Sequence, residues 1–299
     1  MATDEKFTIA VFTKNTTNPA YEAFRIAADQ IARAAGARVM HYVPKKPDNV
    51  GEQQAMVEQV LKDRPDAVVF IPVDDVAMID SVKKLNEAKI PIVLASNPLP
   101  GRFVTFVGAD DYEIGYKEAR YLFDKLGDNA KIVVIEGVSS APTNRERVRG
   151  YKRAFAEYPR IEVLGFGVGN YQQPDGKRVM VKFLTDYPQI DAVLSANDGM
   201  ALGALEALKE ANRSAVVIGI NGILPAVKLI ETGALLASVD FNMFKIGCTA
   251  TRAALRHLRG EKLPEKIMLP AEIIDESNYK AWLVPVAQRS CPDWDEVVR

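Results

Sequence analysis

The sequence has few of the residues that build metal centres, disulfide scaffolds and histidine-dependent active sites. Its 299 residues include two cysteines, Cys248 and Cys291, and two histidines, His41 and His257. The cysteines match no metal-binding spacing and are too few for a disulfide scaffold, which leaves two separate thiols or one bridge as alternatives. His41 lies in a strand-like segment and His257 in a helical one, so we expect structural or surface roles for both. We expect no metal ion and no cofactor.

Long apolar runs and an excess of charge of one sign are also missing. No segment approaches the roughly 20 apolar residues of a membrane-spanning helix, which predicts a soluble chain. The 38 basic and 39 acidic side chains give a net charge of -1, so there is no electrostatic reason to expect nucleic acid or an anionic membrane as partner. Residues 1–6 contain no apolar leader. Either the protein is cytoplasmic or an export signal has been removed.

Known catalytic motifs are missing as well. There is no Gly-Lys-Ser/Thr phosphate loop and no Gly-x-Ser-x-Gly nucleophile elbow. The glycine run at 165–169 has the wrong third spacing for a dinucleotide loop, and a polar stretch follows it, which indicates a solvated turn. The acidic doublets at 74–75 and 110–111 follow strand ends and are expected to cap the next helices. We therefore expect no catalytic residues and no enzymatic activity.

The chain does contain two similar halves. The similar stretches at 65–74 and 190–198 contain apolar runs, at 67–71 and 192–194, that are too short for a helix. Such runs are typical of strands buried on both faces of a parallel sheet. Each is followed, after one helical segment, by another such run, at 90–94 and 215–219. Two α/β halves predict a cleft between them, and a ligand is expected there.

Strand-like and helical segments alternate along nearly the whole chain. This alternation predicts the α/β class, with two doubly wound parallel-sheet lobes and right-handed crossovers. Because no Gly/Ser-rich linker exists, the lobes must be joined by strands that cross between them. The candidate crossings of this three-strand hinge are 106–111, 238–242 and 268–271.

The crossings define the expected lobe boundaries. Residues 6–108 with 243–268 are predicted to form the N-terminal lobe. Residues 109–242 with 269–299 are predicted to form the C-terminal lobe, including the C-terminal tail.

Four short motifs occur in a distinctive order. They are Ile9–Phe12 followed by Thr17-Asn18-Pro19, Lys89–Val93, Arg145-x-Arg147-x-x-Gly150-Tyr151, and Ser195–Ala204. In this order and at these spacings they resemble the type I periplasmic solute-binding proteins, the ribose- and galactose-type receptors of bacterial ABC transporters. The resemblance covers the chain from Thr8 to about Ile274.

The resemblance implies that a monosaccharide or sugar alcohol binds in the cleft by hinge closure and that an ABC transporter permease recognises the closed form. It also implies a periplasmic location and a monomer, with no nucleic acid partner. Carried over position by position, the implied ligand contacts are Lys14, Asn18, Tyr21, Ser96, Asn97, Arg145, Tyr171, Asn197, Asn221 and Phe241. These positions lie beyond strand ends or at helix starts, where open α/β sheets bind ligands.

Some of these residues have a structural alternative. Asn18 before Pro19 is also a normal helix N-cap. Arg145 near a helix start opposes the helix dipole, and such a mismatch indicates a functional role. Of the neighbours Asn197 and Asp198, we expect Asp198 to cap the next helix and Asn197 to contact the ligand.

Departures from the family pattern bear on the ligand's charge. Family members specific for pentoses and hexoses commonly hold sugar hydroxyls with carboxylates paired to an arginine, whereas the matching positions here are Ser96, Asn97 and Asn221. Lys14 and Arg145 have no obvious partner, so the ligand or a carboxylate such as Asp240 is expected to offset them. We favour a neutral ligand over an anionic sugar acid or sugar phosphate in the same cleft.

Two further function classes share this architecture. A transcription regulator of the lac repressor family has the same two-lobed core as its effector-binding part, with a helix-turn-helix of roughly 60 residues ahead of it. Only about six residues precede the first strand here, so that interpretation requires residues ahead of this sequence. The third class is an enzyme on a doubly wound scaffold, since a fold alone does not fix function.

Overall fold

The structure is a computed structural model that describes residues 7–127 and 129–298. The predictions that concern residues 1–6, namely the missing leader and the start of the first lobe at Lys6, lie outside the described residues. The contacts divide the chain into two compact units. Unit 1 comprises the residues up to 109, residues 242–269 and the residues from 286 onward; unit 2 comprises residues 110–241 and 270–285.

Short strands and longer helices alternate along the chain. The strands are β1 (Thr8–Phe12), β2 (Arg38–Tyr42), β3 (Ala67–Phe70), β4 (Ile92–Ala95), β5 (Thr105–Gly108), β6 (Ala130–Glu136), β7 (Ile161–Val168), β8 (Ala192–Ser195), β9 (Val216–Ile220), β10 (Ala237–Asp240), β11 (Lys266–Met268) and β12 (Glu272–Ile274). The helices are α1 (Pro19–Ala34), α2 (Val50–Asp63), α3 (Ile79–Glu87), α4 (Asp111–Leu126), α5 (Pro142–Glu157), α6 (Gln173–Asp186), α7 (Asp198–Glu210), α8 (Leu224–Glu231), α9 (Met243–Leu258) and α10 (Trp294–Val297).

Unit 1 contains a sheet with the spatial order β11-β5-β4-β3-β1-β2, in which each neighbouring pair is parallel. Strands β3 and β4 are buried along their whole length. Their continuous apolar sequences fit this position, because helices cover both faces of such a sheet.

Unit 2 contains a sheet with the order β12-β10-β9-β8-β6-β7, and its outermost strand β12 runs antiparallel to β10. The other neighbouring pairs are parallel. The predicted pair of doubly wound α/β lobes is therefore confirmed. Within each sheet, the loops that follow the parallel strands come together at one edge, here called the carboxyl edge of that unit.

Two glycines allow α4 and α5 of unit 2 to pack unusually closely. A Cβ at Gly115 would lie 2.2 Å from the carbonyl oxygen of Arg147, and a Cβ at Gly150 would lie 2.2 Å from that of Tyr112. Because atoms do not approach this closely, both positions require glycine. The close packing brings Arg147 of α5 beside the first turn of α4, where Asp111 lies.

The C-terminal tail, residues 286–298, packs on unit 1. Cys291 of the tail forms a disulfide with Cys248 of α9, with 5.7 Å between their Cα atoms. The guanidinium carbon of Arg256 lies 4.6 Å from the ring centroid of Trp294. The bridge resolves the alternative that the sequence left open between free thiols and a disulfide.

This packing corrects the lobe assignment of the tail, which the sequence analysis placed in the C-terminal lobe with the rest of residues 269–299. The chain passes between the units after Ala109, Phe241, Leu269 and Pro285. The last passage was missed because it depends on the disulfide and on contacts between the tail and α9, which sequence periodicity does not reveal.

Two local predictions can be compared with the structure. Asp110 caps α4, because its Oδ1 accepts hydrogen bonds from the backbone N–H groups of Tyr112 and Glu113 at 3.0 and 3.1 Å. The predicted solvated turn at 165–169 is wrong, since Gly165 and Gly167 lie within β7. A Cβ at Gly167 would lie 2.4 Å from Val179 of α6, so close packing between strand and helix explains this glycine.

Candidate functional site

The carboxyl edge of unit 1 contains a buried ion pair. Lys14, which follows β1, places its Nζ 3.2 Å from Oδ1 of Asp48, and the two side chains are 2% and 11% exposed. The other carboxylate oxygen of Asp48 accepts a hydrogen bond from Nδ2 of Asn15 at 3.1 Å. The expected partner for Lys14 was the ligand or Asp240; in the structure Asp48 neutralises it.

Asp240 has a different partner in unit 2. Its Oδ2 accepts a hydrogen bond from Nε1 of Trp282 at 2.7 Å. Asp48 was missed as the partner of Lys14 because it lies in the loop between β2 and α2, and only the parallel pairing of β1 with β2 brings the two loops together.

Asn15 also links this ion pair to the start of α1. Its Oδ1 accepts a hydrogen bond from the backbone N–H of Asn18 at 2.9 Å. Asn18 is the N-cap of α1, with its Oδ1 accepting from the backbone N–H of Ala20 at 2.9 Å. The structural interpretation of Asn18 is thus confirmed, and its ligand contact stays a prediction. Tyr21 lies half-buried in the first turn of the same helix.

Ser96 and Asn97 follow β4 at the same edge, and both are buried. Ser96 has a φ of 59°, in the left-handed region that few residues adopt. Nδ2 of Asn97 donates to the carbonyl oxygen of Pro72 at 3.1 Å, so this amide ties the end of β4 to the segment that follows β3. Its role toward a ligand stays a prediction.

At the carboxyl edge of unit 2, Arg147 is the central residue. Its guanidinium is buried, donates from Nε to Oδ1 of Asp111 at 2.9 Å and donates from Nη1 to the carbonyl oxygen of Ala196 at 2.7 Å. Its carbon Cζ lies 5.2 Å from the ring centroid of Phe241 and 6.0 Å from that of Tyr171. Burial alone would lower the pKa of Arg147, but the Asp111 carboxylate raises it above the usual range, so the group stays charged.

Arg147, and not Arg145, is therefore the arginine that the structure brings together with Tyr171 and Phe241. Arg145 is exposed, and its Nη1 donates to the carbonyl oxygen of Ser140. The buried face of α5 includes Asn144, Arg147 and Tyr151, which have helical spacing. Helical phase could have selected Arg147, whereas the resemblance, carried over position by position, named Arg145, and the argument from the helix dipole supported that choice.

Tyr171 is held in a left-handed backbone conformation with a φ of 60°. Its hydroxyl lies 3.0 Å from the hydroxyl of Thr143. A Cβ at Gly137 would lie 2.1 Å from the ring, so the ring packs directly on the backbone that follows β6. Contacts with Gly137 and Thr143 therefore position the ring.

Asn197, and not Asp198, caps α7, so the expected assignment of the cap is wrong. Asn197 is the N-cap of α7, because its Oδ1 accepts from the backbone N–H of Met200 at 2.9 Å, and its Nδ2 donates to the carbonyl oxygen of Tyr171 at 3.0 Å. Asp198 is fully buried and bonds to Ser238. Both residue types cap helices well, so sequence alone could not separate them. Whether Asn197 also contacts a ligand stays a prediction.

Asn221 and Phe241 lie after β9 and β10, and both are buried. Asn221 has a φ of 133°, an unusual value for a residue with a side chain. The structure thus brings Arg147, Tyr171, Asn197 and Phe241 into one connected cluster in unit 2. Lys14, Asn18, Tyr21, Ser96 and Asn97 lie at the carboxyl edge of unit 1.

Glu118 is a further buried acid, and its carboxylate interacts electrostatically with Arg147. Glu118 of α4 accepts a hydrogen bond from the hydroxyl of Tyr151 at 2.6 Å. Burial raises the pKa of Glu118 well above its ordinary value, although Tyr151 and Arg147 partly oppose this. Among residues 7–127 and 129–298, no group of three or more His, Cys, Asp or Glu side chains could hold a metal ion. Each helix in those ranges is too short or too polar to cross a bilayer.

Comparison with known proteins gives consistent matches over most of the chain. The family model described as "Periplasmic binding protein domain" matches residues 9–262. The ribose import binding protein RbsB of Bacillus subtilis is 29% identical over 270 residues, which cover 90% of this chain and 87% of that protein.

Solved structures show the same similarity in three dimensions. An ABC transporter periplasmic solute binding protein from Actinobacillus succinogenes with bound D-allose has a TM-score of 0.88 at 26% identity, covering 92% of this chain and all of that one (100%). An ABC transporter solute binding protein from Bacillus halodurans with bound myo-inositol has a TM-score of 0.87 at 25% identity, covering 95% and 99% of the two chains.

Proposed function

The chain belongs to the family of periplasmic binding protein domains, with the two α/β lobes of type I, and from this premise we propose that it is the solute-binding component of an ABC importer. Its proposed ligand is a small uncharged carbohydrate, a monosaccharide or a sugar alcohol. The class is supported by a relative named for ribose import and by similar structures with bound D-allose and myo-inositol.

The observation that supports this function most is the environment of Arg147. Its guanidinium lies beside the rings of Tyr171 and Phe241 and is fixed by Asp111 and the Ala196 carbonyl. A carbohydrate presents hydroxyl groups that both donate and accept hydrogen bonds, together with apolar C–H faces. A fixed polar fork next to aromatic rings suits both features.

The charge balance supports an uncharged ligand. At the carboxyl edge of unit 1, the buried Lys14 is neutralised by Asp48; at that of unit 2, the buried Arg147 is neutralised by Asp111. An anionic group would have to compete with these carboxylates for the same donors, and it would add a negative charge close to them. Arg145 is exposed, so its charge is not desolvated and does not require an anionic ligand either.

An anionic sugar derivative is the second candidate. Two buried cations at the carboxyl edges are the observation that favours it, because cationic forks and amines also bind sugar acids and sugar phosphates. The two proposals differ only in whether neutral carbohydrates or anionic sugar derivatives bind more tightly.

The proposal includes a binding cycle without chemical change. In the periplasm, the chain binds the ligand and releases it unaltered to a membrane permease. The chain acts as a monomer and binds no nucleic acid. Hinge closure on the ligand remains a prediction from the sequence. A shift from a mostly open to a mostly closed population requires about 5 kcal/mol of differential affinity, which several hydrogen bonds in a dry site supply.

A thermal-shift screen tests this function. The purified protein is heated with sugars, sugar alcohols, sugar acids and sugar phosphates, and we expect neutral compounds to give the largest increases in Tm, since a ligand in large excess over its Kd stabilises by about 3 kcal/mol. Hits are then incubated with the protein and recovered for mass spectrometry, where an unchanged mass is expected. A screen dominated by anions would favour the second candidate, and conversion of the hit would contradict a purely binding role.

A further inference from the structure

The buried carboxylate of Asp198 holds the turn that contains Asn221. Its Oδ2 accepts a hydrogen bond from the backbone N–H of Ile223 at 3.0 Å. Its Oδ1 accepts from the hydroxyl of Ser238 at 2.7 Å. That hydroxyl in turn accepts from the backbone N–H of Gly222 at 3.0 Å. Two consecutive backbone N–H groups are thus fixed, one directly and one through Ser238.

The turn needs this support because its backbone is strained. Asn221 has a φ of 133° and Gly222 a φ of 64°, and a non-glycine residue with a φ of this kind persists only where its surroundings enforce it. The backbone N–H of Asn221 bonds to the carbonyl oxygen of Val239 at 3.0 Å. Beyond that bond, the contacts from Asp198 and Ser238 fix the two residues that follow.

The sheet is built to admit this carboxylate. A Cβ at Gly219 in β9 would lie 2.4 Å from Oδ1 of Asp198, so this position requires glycine for Asp198 to reach the strand. Asp198 also sits directly after Asn197, the N-cap of α7. The dipeptide Asn197-Asp198 therefore fixes two segments at the carboxyl edge of unit 2. Asn197 bonds to the backbone of Tyr171, and Asp198 bonds to the turn at 221–223.

We propose that Asp198 is a positioning residue, which does not touch the ligand but fixes the 221–223 turn so that Asn221 can bind it. The inference rests on the proposed function, and it adds the residue that sets the geometry of one ligand contact. It predicts that the effect of changing Asp198 on affinity is transmitted through Asn221.

A double-mutant cycle tests this transmission. The Kd of the best ligand from the screen is measured for the wild type, Asp198→Asn, Asn221→Ala and the double variant. We expect Asp198→Asn to weaken binding by about tenfold, because it removes one of the two charged acceptors. In the Asn221→Ala background the same change should have an effect of about twofold or less. Equal effects in both backgrounds would overturn the proposal, since Asp198 would then act independently of Asn221.

Two further variants separate positioning from general damage. Asp191→Asn is the matched control, because Asp191 also accepts a backbone N–H, that of Lys131 at 2.7 Å, but does so at the amino end of β8 in the same sheet. It should leave the Kd unchanged. Ser238→Ala removes only the hydroxyl that links Asp198 to Gly222, so it should weaken binding in the same direction as Asp198→Asn and serves if that variant folds poorly.

A ligand-free measurement keeps this proposal separate from the proposed function. Hydrogen exchange followed by mass spectrometry on peptides that cover 220–224 should be about tenfold faster in Asp198→Asn than in the wild type, while peptides from β6 stay unchanged. Unchanged exchange at the turn would overturn the positioning role even if a carbohydrate binds. Faster exchange with no hit in the screen would support that role and contradict the carbohydrate ligand.

Discussion

The two units have the same sheet order but different chemistry at their carboxyl edges. In unit 1 the buried cation is the amine of Lys14, which pairs with Asp48, and the other oxygen of Asp48 accepts a hydrogen bond from the amide of Asn15. In unit 2 it is the planar guanidinium of Arg147, placed beside two aromatic rings. A repeated scaffold therefore supplies one edge with polar hydrogen-bonding groups and the other with a cation among aromatic surfaces.

This difference indicates that the order of the strands and the chemistry of the loops that follow them are determined by different parts of the sequence. The central strands of both units are buried apolar runs, so similar sequences give the same order of strands. The loops after those strands can vary in sequence, and in each unit a different carboxylate neutralises the buried cation. We expect ligand affinity to depend more on unit 2, because its edge combines charge, hydrogen bonds and aromatic faces.

The largest expected effect is that of Arg147→Ala. The change removes the fork and its ion pair with Asp111 in a largely buried site, so we expect ligand affinity to fall by about 100-fold, or ~3 kcal/mol, with a lower Tm. Isothermal titration calorimetry with the best neutral ligand measures it. Arg147→Lys should recover only part of the affinity, because an amine keeps the charge but lacks the planar fork.

Arg145→Ala is the matched control for this comparison, since it removes an arginine two residues away that is exposed. Its Kd should stay within about twofold of the wild type. A larger loss of affinity for Arg145→Ala than for Arg147→Ala would restore the assignment made from the sequence.

A smaller effect is expected in unit 1 for Lys14→Met. The Asp48 carboxylate loses its ion pair but keeps its hydrogen bond from Asn15, so we expect affinity to fall by about tenfold. Lys45→Met, which changes an exposed lysine in the loop before α2, is the control for charge alone. If Lys14→Met weakens binding more than Arg147→Ala, unit 1 and not unit 2 dominates recognition.

The next effect is a dependence on pH that is specific to unit 2. Burial, with the nearby Asp240 adding to it, raises the pKa of Asp198 from 3.8 to about 7, against the opposing hydrogen bonds from Ser238 and Ile223. Because the folded pKa lies above the ordinary value, the stability that Asp198 contributes is present below about pH 4 and is lost as pH rises through about 7. Ligand affinity should change in the opposite direction, since only the ionised carboxylate accepts from both donors.

This prediction is measured by comparing Tm and Kd of the wild type with those of Asp198→Asn from pH 5 to pH 8. Asp240 on β10 and Glu118 on α4, the other acids that interact with Asp198, are present in both proteins. The stability advantage of the wild type should shrink as pH rises, while its affinity advantage should grow. Parallel changes in both quantities would show that Asp198 has only a structural role.

The smallest expected effect on affinity comes from the disulfide of unit 1. Replacing Cys248 and Cys291 together by serine opens a loop whose ends are 43 residues apart, and we expect the free energy of unfolding to fall by about 3 kcal/mol. The Kd should stay within about twofold. A reductant should lower the Tm of the wild type but not that of the double variant; a large loss of affinity would mean that the tail supports the ligand site.

Much of the fold could be predicted because it depends on local patterns. Continuous apolar runs marked the central strands, and the absence of a linker indicated repeated crossings. The tail could not be assigned, because its position depends on Cys291 meeting Cys248, which spacing alone left undecided.

The sequence predicted which loops lie at the carboxyl edges but not the partner of every side chain, and the ligand contacts stay predictions. The partner of Lys14 was missed because Asp48 lies 34 residues further along the chain, in the loop after a different strand. Arg145 was named because the position-by-position resemblance pointed to it and helical phase was not applied to α5, although the sequence contained that signal. The cap of α7 was assigned to Asp198 instead of Asn197, because their capping tendencies are alike and only packing of Asp198 against Gly219 separates them.

The central claim is that this chain binds a small uncharged carbohydrate and that its own carboxylates already neutralise the buried cations at the carboxyl edges. Isothermal titration of the wild type with the best neutral ligand, its matching sugar acid and its matching sugar phosphate tests this most directly. We expect saturable binding of the neutral compound and affinities at least about tenfold weaker for both anions. Tighter binding of either anion, or no binding of any neutral carbohydrate, would contradict the account.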